Sequence, residues 1–317
     1  MTRRLWDGFV DGEDVENLAA DCHTARDWFY LAVLAFARGR DEAAATYAAT
    51  AAAQHPDSRL YRAASTYLAR VGKSGRQRVY TQPEGFAAFI RGGGNVTMYA
   101  ALSAALRDRY DQYRPVRLLD VGVGDGLALL PALDGSAVTD VDLLEPSTAL
   151  LDSTGQALSQ RGIAHRSANA TVQQLARGVD AWPPDTRWEL AQSTFALHNV
   201  ERAERLEVLT WLRRHAARLL IAEFDLTPGR SCEPEWFDYV ATRYERGLAE
   251  YDADGDTVAQ GFLMPIMFGY FDPDTVHHEQ SIADWLSDLA AAGFTDQRPP
   301  QPLSDYWWAP SFLLDVG

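Results

Sequence analysis

The sequence predicts an α/β fold: a mostly parallel sheet covered by helices, with an all-helical segment in front of it. Three observations predict it. From Val116 onward, short apolar runs alternate with helical ones. The first of those runs ends in a glycine-rich turn, and residues 14–72 carry helical periodicity with no strand signal. Alternation of strand and helix brings each strand back in the same direction, so the sheet is parallel with helices on both faces.

Taken in order, residues 14–72 are dense in alanine, as in Asp41-Glu42-Ala43-Ala44-Ala45, with apolar residues three and four apart. Asp27-Trp28-Phe29-Tyr30-Leu31, followed by Ala45, Tyr47, Ala48 and Pro56, reads as one helix pair. A single pair is too short for a solenoid and reads as a cap. Gly72-Lys73-Ser74-Gly75 breaks the pattern and reads as a linker. Gly92-Gly93-Gly94 marks a place where backbone passes close to something: a plain loop or a flap over a ligand. A helix is expected over 97–110. Strands are expected at 116–121, 138–144, 163–166, 190–194 and 219–224, with helices at 127–133, 147–161, 171–177 and 202–216 between them. Beyond Asp225 the spacing predicts an amphipathic helix over 234–250, an apolar aromatic stretch over 261–270, a helix over 281–292 and a last antiparallel strand over 306–316. The expected organisation is a helical cap at 1–75 and a main domain at 76–317 carrying a helical insertion at about 231–276.

Composition excludes several classes. Of 317 residues, 47% are hydrophobic and 23% charged, which is globular and not disordered. The net charge is −15 and Lys73 is the only lysine. So acidic a surface repels phosphate backbones, so no nucleic-acid partner is expected. Alanine- and arginine-rich usage is associated with GC-rich bacterial genomes. Cys22 and Cys232 define neither a disulfide framework nor a CxxC site, and no metal is expected. No apolar run is long enough to span a bilayer and the first residues lack a signal-peptide core, so a cytoplasmic protein without a membrane partner is expected.

The chemistry concentrates at the ends of the expected strands. Arg117-Leu118-Leu119-Asp120-Val121-Gly122-Val123-Gly124-Asp125-Gly126 runs a buried strand into a glycine turn. Glycines there let backbone approach a ligand. A dinucleotide fingerprint would need glycine at 127, where Leu127 stands. Glu145, 21 residues beyond Gly124, can accept both hydroxyls of a ribose, with Asp140 and Asp142 as rivals. Asn169 follows the third expected strand, where an Asn commonly caps the next helix.

The DxGxGxG run resembles motif I of class I S-adenosylmethionine (SAM)-dependent methyltransferases, and Glu145-Pro146-Ser147 resembles the same family's ribose-binding element. Ser193-Thr194-Phe195-Ala196-Leu197-His198-Asn199 resembles the small-molecule form of motif IV. The Asn/Asp-Pro-Pro-aromatic signature of nucleic-acid relatives is absent there. The resemblance implies a Rossmann-like sheet with an antiparallel last strand, SAM as cofactor and S-adenosylhomocysteine as product. It implies a cofactor site made of Asp120, Gly122, Gly124, Glu145, Asn169, Ala170, Ser193 and Thr194. His198 is a candidate base or a core residue. His277 and His278 lie in a loop that in the family can roof the acceptor, with His278 the second candidate. Aromatic residues of 231–276, among them Trp236, Phe237, Tyr244 and Phe268, either pack or line an apolar acceptor pocket, so the expected partner is a small apolar or aromatic molecule. The helical segment suits a homodimer interface or a lid equally. A fainter similarity, in His278-Glu279-Gln280-Ser281, Ala292-Gly293-Phe294 and Tyr306-Trp307-Trp308-Ala309, is to bacterial GRAS proteins. It implies a ligand-binding relative without methyl transfer. A fold relative using the cofactor for other chemistry, such as a cyclase, fits the same motifs.

Overall fold

A computed structural model of the chain describes residues 2–76, 83–179, 181–183, 185–229, 231–251, 253, 256–273 and 278–317. The chain divides into two units. One joins residues 1–96 with 228–277; the other joins 97–227 with 278–317.

The second unit holds the sheet. Its strands are β1 (Arg117–Val121), β2 (Asp140–Leu144), β3 (Ala164–Ala168), β4 (Trp188–Thr194), β5 (Ala216–Phe224), β6 (Gln301–Asp305) and β7 (Pro310–Val316), in the order β3-β2-β1-β4-β5-β7-β6. The first five are parallel; β7 runs antiparallel to β5 and β6. Successive side chains alternate between faces, and both faces are buried. Leu118, Leu190 and Leu220 pack with helices Gly93–Tyr113, Leu129–Leu133 and Thr148–Gln160. Leu119, Ala191 and Ile221 pack with Val172–Ala176, Arg202–His215 and Ile282–Ala291. Burial of each leucine contributes about 1.5–3 kcal/mol, which explains why these strands read as continuous apolar runs. One row across the sheet breaks the apolar rule: Leu143, Asp120, Gln192, Leu220 and Asp315 are successive partners across β2, β1, β4, β5 and β7.

The first unit is helical. Helices Ala25–Ala37, Asp41–Gln54 and Arg59–Ser74 pack in sequence, and Pro234–Ala249, a π-helical turn at Ala259–Leu263 and Met264–Gly269 complete it. Thr24 and Asp27 form a capping box at the first of these. Glu245 closes another helix start, accepting from Ser58 Oγ at 2.7 Å and from the Arg59 and Leu60 N–H groups at 2.9 Å each.

The structure bears on four of the expectations. By contact, residues 228–277 group with the N-terminal helices, and the first boundary of that grouping falls inside helix Gly93–Tyr113. The aromatic residues of the insertion are core. Phe237 meets Tyr30 in a tilted contact at 4.6 Å and Phe268 stacks on Tyr67 at 5.3 Å, all of them buried. Gly92 and Gly93 approach a side chain: a Cβ at Gly93 would lie 2.7 Å from the Tyr251 ring. Finally, Tyr306–Ala309 links two strands and is not itself a strand. Among the described residues no helix is long and apolar enough to cross a membrane.

Candidate functional site

The chain runs from β1 outward to β2 and β3, then crosses to β4 on the other side of β1. The carboxyl ends of β1 and β4 therefore flank a topological switch point, where open α/β sheets bind ligands. His278 apart, the residues expected at the site stand in or after the carboxyl ends of β1 to β4.

Gly122 and Gly124 turn the chain at the end of β1 with φ of +71° and +57°. A Cβ on Gly122 would sit 2.6 Å from the Ala196 Cβ, whereas one on Gly124 would meet nothing within 4 Å. Gly122 is thus fixed by packing, and Gly124 leaves open space above the turn. Thr154 holds the turn from below, donating to the Gly124 carbonyl at 2.9 Å.

Glu145 follows β2 and is 7% exposed. Its carboxylate accepts from the Gly124 N–H at 3.0 Å and from the Ser147 N–H at 2.9 Å. Each oxygen retains a lone pair for a ligand hydroxyl. The rivals are committed elsewhere. Asp140 pairs with Arg117 at 2.8 Å. Asp142, fully buried, accepts from Trp188 Nε1 at 2.7 Å and from Arg166 Nε at 2.7 Å.

Asn169 is exposed and donates to the Glu145 and Pro146 carbonyls at 3.1 and 2.9 Å. Both amide hydrogens are used, so it offers a ligand its Oδ1 acceptor. It is not the cap of the next helix: Thr171 is, in a capping box with Gln174. Ala170 packs on the core beside it. On β4, Ser193 is buried and donates to the Val121 carbonyl at 3.0 Å, tying β4 to β1; Thr194 beyond it is half-buried.

Asp120 is buried. Its Oδ2 accepts from Gln192 Nε2 at 2.7 Å, while Oδ1 has no hydrogen-bond partner among the described residues. Burial pushes its carboxyl up to about 7; the Gln192 bond opposes this and the Glu145 charge adds to it. Gln192 was not singled out from sequence. Its signal was a polar residue one turn of the pleat after Leu190 in a buried strand.

His198 lies in a 3₁₀ turn after β4, with its side chain 22% exposed. Its Nδ1 is 2.8 Å from Glu223 Oε2, and its backbone N–H donates to Glu223 Oε1 at 3.2 Å. Burial lowers its pKa, but the charge and hydrogen bond of Glu223 outweigh burial, and the result lies above the ordinary 6.5. His278 enters through its backbone: Arg205, buried against Trp285, donates to the His278 and Val200 carbonyls. His277 lies outside the described residues. Asp225 accepts from the Ile282 N–H at 3.0 Å at the start of helix Ile282–Ala291. Among the described residues no group of three His, Cys, Asp or Glu side chains is placed to hold a metal.

No family model matches the chain, and no curated protein matches it. Solved structures do. Magnesium protoporphyrin IX methyltransferase from Synechocystis PCC 6803 with bound SAM aligns at 11% identity over 75% of this chain and 91% of that one, with a TM-score of 0.47. The same enzyme with bound S-adenosylhomocysteine aligns at 14% identity over 75% and 94%, with a TM-score of 0.48. Mitomycin 7-O-methyltransferase aligns at 13% identity over 87% and 70%, also at 0.48. The chain's own strand order and directions, not these alignments, decide the fold. With five parallel strands, an antiparallel β7 and the glycine turn at the switch point, residues 97–227 and 278–317 have the Rossmann-like fold of class I SAM-dependent methyltransferases.

Proposed function

We propose that the chain is a SAM-dependent methyltransferase acting on a small apolar or aromatic molecule. The observation that carries the reading is Glu145: a carboxylate at the end of β2, held against the Gly124 N–H, with open space over that glycine. This suits a nucleoside whose ribose hydroxyls donate to Glu145 and whose amino-acid end lies along the turn. Asn169 Oδ1 suits the adenine amino group.

SAM, when bound, supplies a methyl group on a positively charged sulfur. The protein has to align the acceptor and, for a hydroxyl or carbon acceptor, remove a proton. His198 suits that task. With Nδ1 held by Glu223, Nε2 is the basic nitrogen, and Glu223 stabilises the imidazolium that forms. Phe195, three residues before His198, stacks on Phe224 at 4.7 Å and meets Tyr99 edge-on at 6.0 Å. These rings at the ends of β4 and β5 favour a planar acceptor, and the acidic surface disfavours nucleic acid.

Isothermal titration with SAM and S-adenosylhomocysteine tests the cofactor site. Wild type binds both, and Glu145→Ala loses about 1.5–3 kcal/mol, roughly 10- to 100-fold in affinity. Absence of binding to folded wild type overturns the reading. Binding without methyl transfer to any acceptor favours the GRAS-like, non-catalytic alternative. Where transfer is found, His198→Ala lowers kcat by about 10²–10⁴. The wild-type rate rises with pH through a midpoint above 6.5, because His198 must be neutral to act. Glu223→Gln moves that midpoint down.

A further inference from the structure

The two oxygens of Asp120 are treated differently, and the difference is built by two residues that do not line the glycine turn. Tyr110, fully buried on helix Gly93–Tyr113, donates its hydroxyl hydrogen to Gln192 Oε1. A phenol has one hydrogen to give, so this bond fixes the Gln192 amide with Nε2 toward Asp120. Nε2 then donates to Asp120 Oδ2 at 2.7 Å. Donation runs one way, from Tyr110 through Gln192 to Asp120, and engages one oxygen of the carboxylate. Oδ1 remains buried and unpartnered among the described residues.

We propose that Tyr110 and Gln192 are positioning residues that hold Asp120 with Oδ1 presented to the α-ammonium group of the cofactor's amino-acid end, so that affinity depends on that group. The inference rests on the methyltransferase reading above. Three further observations support it. Asp120 stands two residues before Gly122, on the strand that feeds the turn. Glu145, which itself binds the Gly124 N–H, is near enough for its charge to act on Asp120. And the row invites apolar residues: Leu143 and Leu220 flank Asp120 and Gln192 on either side. A buried acceptor without a donor is unfavourable, so a purely structural rung would close with leucine. A ligand N–H group removes that unfavourable state only when bound.

The test compares S-adenosylhomocysteine with its deaminated analogue, which lacks only the ammonium group, by titration calorimetry. Wild type prefers S-adenosylhomocysteine by tenfold or more. In Tyr110→Phe that preference falls to about twofold or less, while affinity for the deaminated analogue stays within about twofold of wild type. Gln192→Leu gives the same pattern, and thermal unfolding confirms that each variant is folded; either variant alone suffices. Equal weakening of both ligands, or an unchanged preference, overturns the proposal and leaves the cofactor site intact. Failure of wild type to bind S-adenosylhomocysteine at all is the separate result that removes the methyltransferase reading itself.

Discussion

Asp120 and Asp315 occupy one row of the same sheet, with β4 and β5 between them, and both are buried to about 1% exposure. Asp315 is surrounded by cations and donors. Arg109 Nε reaches it at 2.7 Å, Arg218 Nε at 2.5 Å and the Tyr113 hydroxyl at 2.7 Å, with Arg298 at 3.7 Å. Asp120 has one amide. The same helix, Gly93–Tyr113, serves both ends of the row. It gives Asp315 a guanidinium and a phenol, and gives Asp120 a phenol at one remove, through Gln192. A carboxylate that holds the sheet together is neutralised on the spot. One at the switch point is kept short of donors, as the proposed ammonium contact requires.

Stability measurements can break that contrast. The largest effect belongs to Asp315→Asn, which takes from partly buried Arg109 its counter-charge and leaves Arg218 only the exposed Asp296. The expected cost is about 3 kcal/mol, at the low end for a broken buried pair because both arginines retain some solvent contact. It would be read as a lowered urea midpoint at constant slope. Asp120→Asn is expected to change stability by less than about 1 kcal/mol at neutral pH. Equal costs for the two variants would end the comparison.

A pH series sharpens it. The folded Asp120 carboxyl titrates at about 7, above its ordinary 3.8, so between those values the native state binds more protons than the unfolded chain. The contribution is stabilising at the acid end and is lost as pH rises through that window. Asp120→Asn therefore gains on wild type from pH 4 to 7, and a flat difference would count against the orphaned oxygen. The smallest effect is expected at Arg298, 38% exposed and 3.7 Å from Asp315. Arg298→Ala should cost about 0–1 kcal/mol, in the range of a solvent-screened pair.

Much of this architecture is legible in the sequence, for physical reasons. Strands covered on both faces are mostly apolar, and β1, β2, β4 and β5 announce themselves that way. β6 does not: Gln301-Pro302-Leu303-Ser304-Asp305 is an edge strand, where proline and polar residues are tolerated. The aromatic run Tyr306-Trp307-Trp308 has strand composition yet forms the connection, because β-propensity reports burial as much as backbone geometry. The glycine turn is readable since its positive φ and its approach to Ala196 demand glycine, and Glu145 since it ends β2 at a fixed spacing from that turn. The partner of Asp120 is harder to read. Registry between strands 72 positions apart in sequence decides that Gln192 lies beside it. The helical unit's membership is hidden for the same reason: periodicity shows that Pro234–Ala249 has an apolar face and says nothing of which helices cover it.

That helical unit is assembled from two stretches of chain, which sets a timetable for its synthesis. Tyr30 and Phe36 leave the ribosome early, but Phe237 and Phe268, which cover them, follow about 200 residues later. At about 5–20 residues per second the wait is about 10–40 s. Through that interval the sheet of the other unit is being made while the first helices stand with aromatic rings uncovered. Until Phe268 has been made, such a nascent chain presents apolar surface of the kind that holding factors cover.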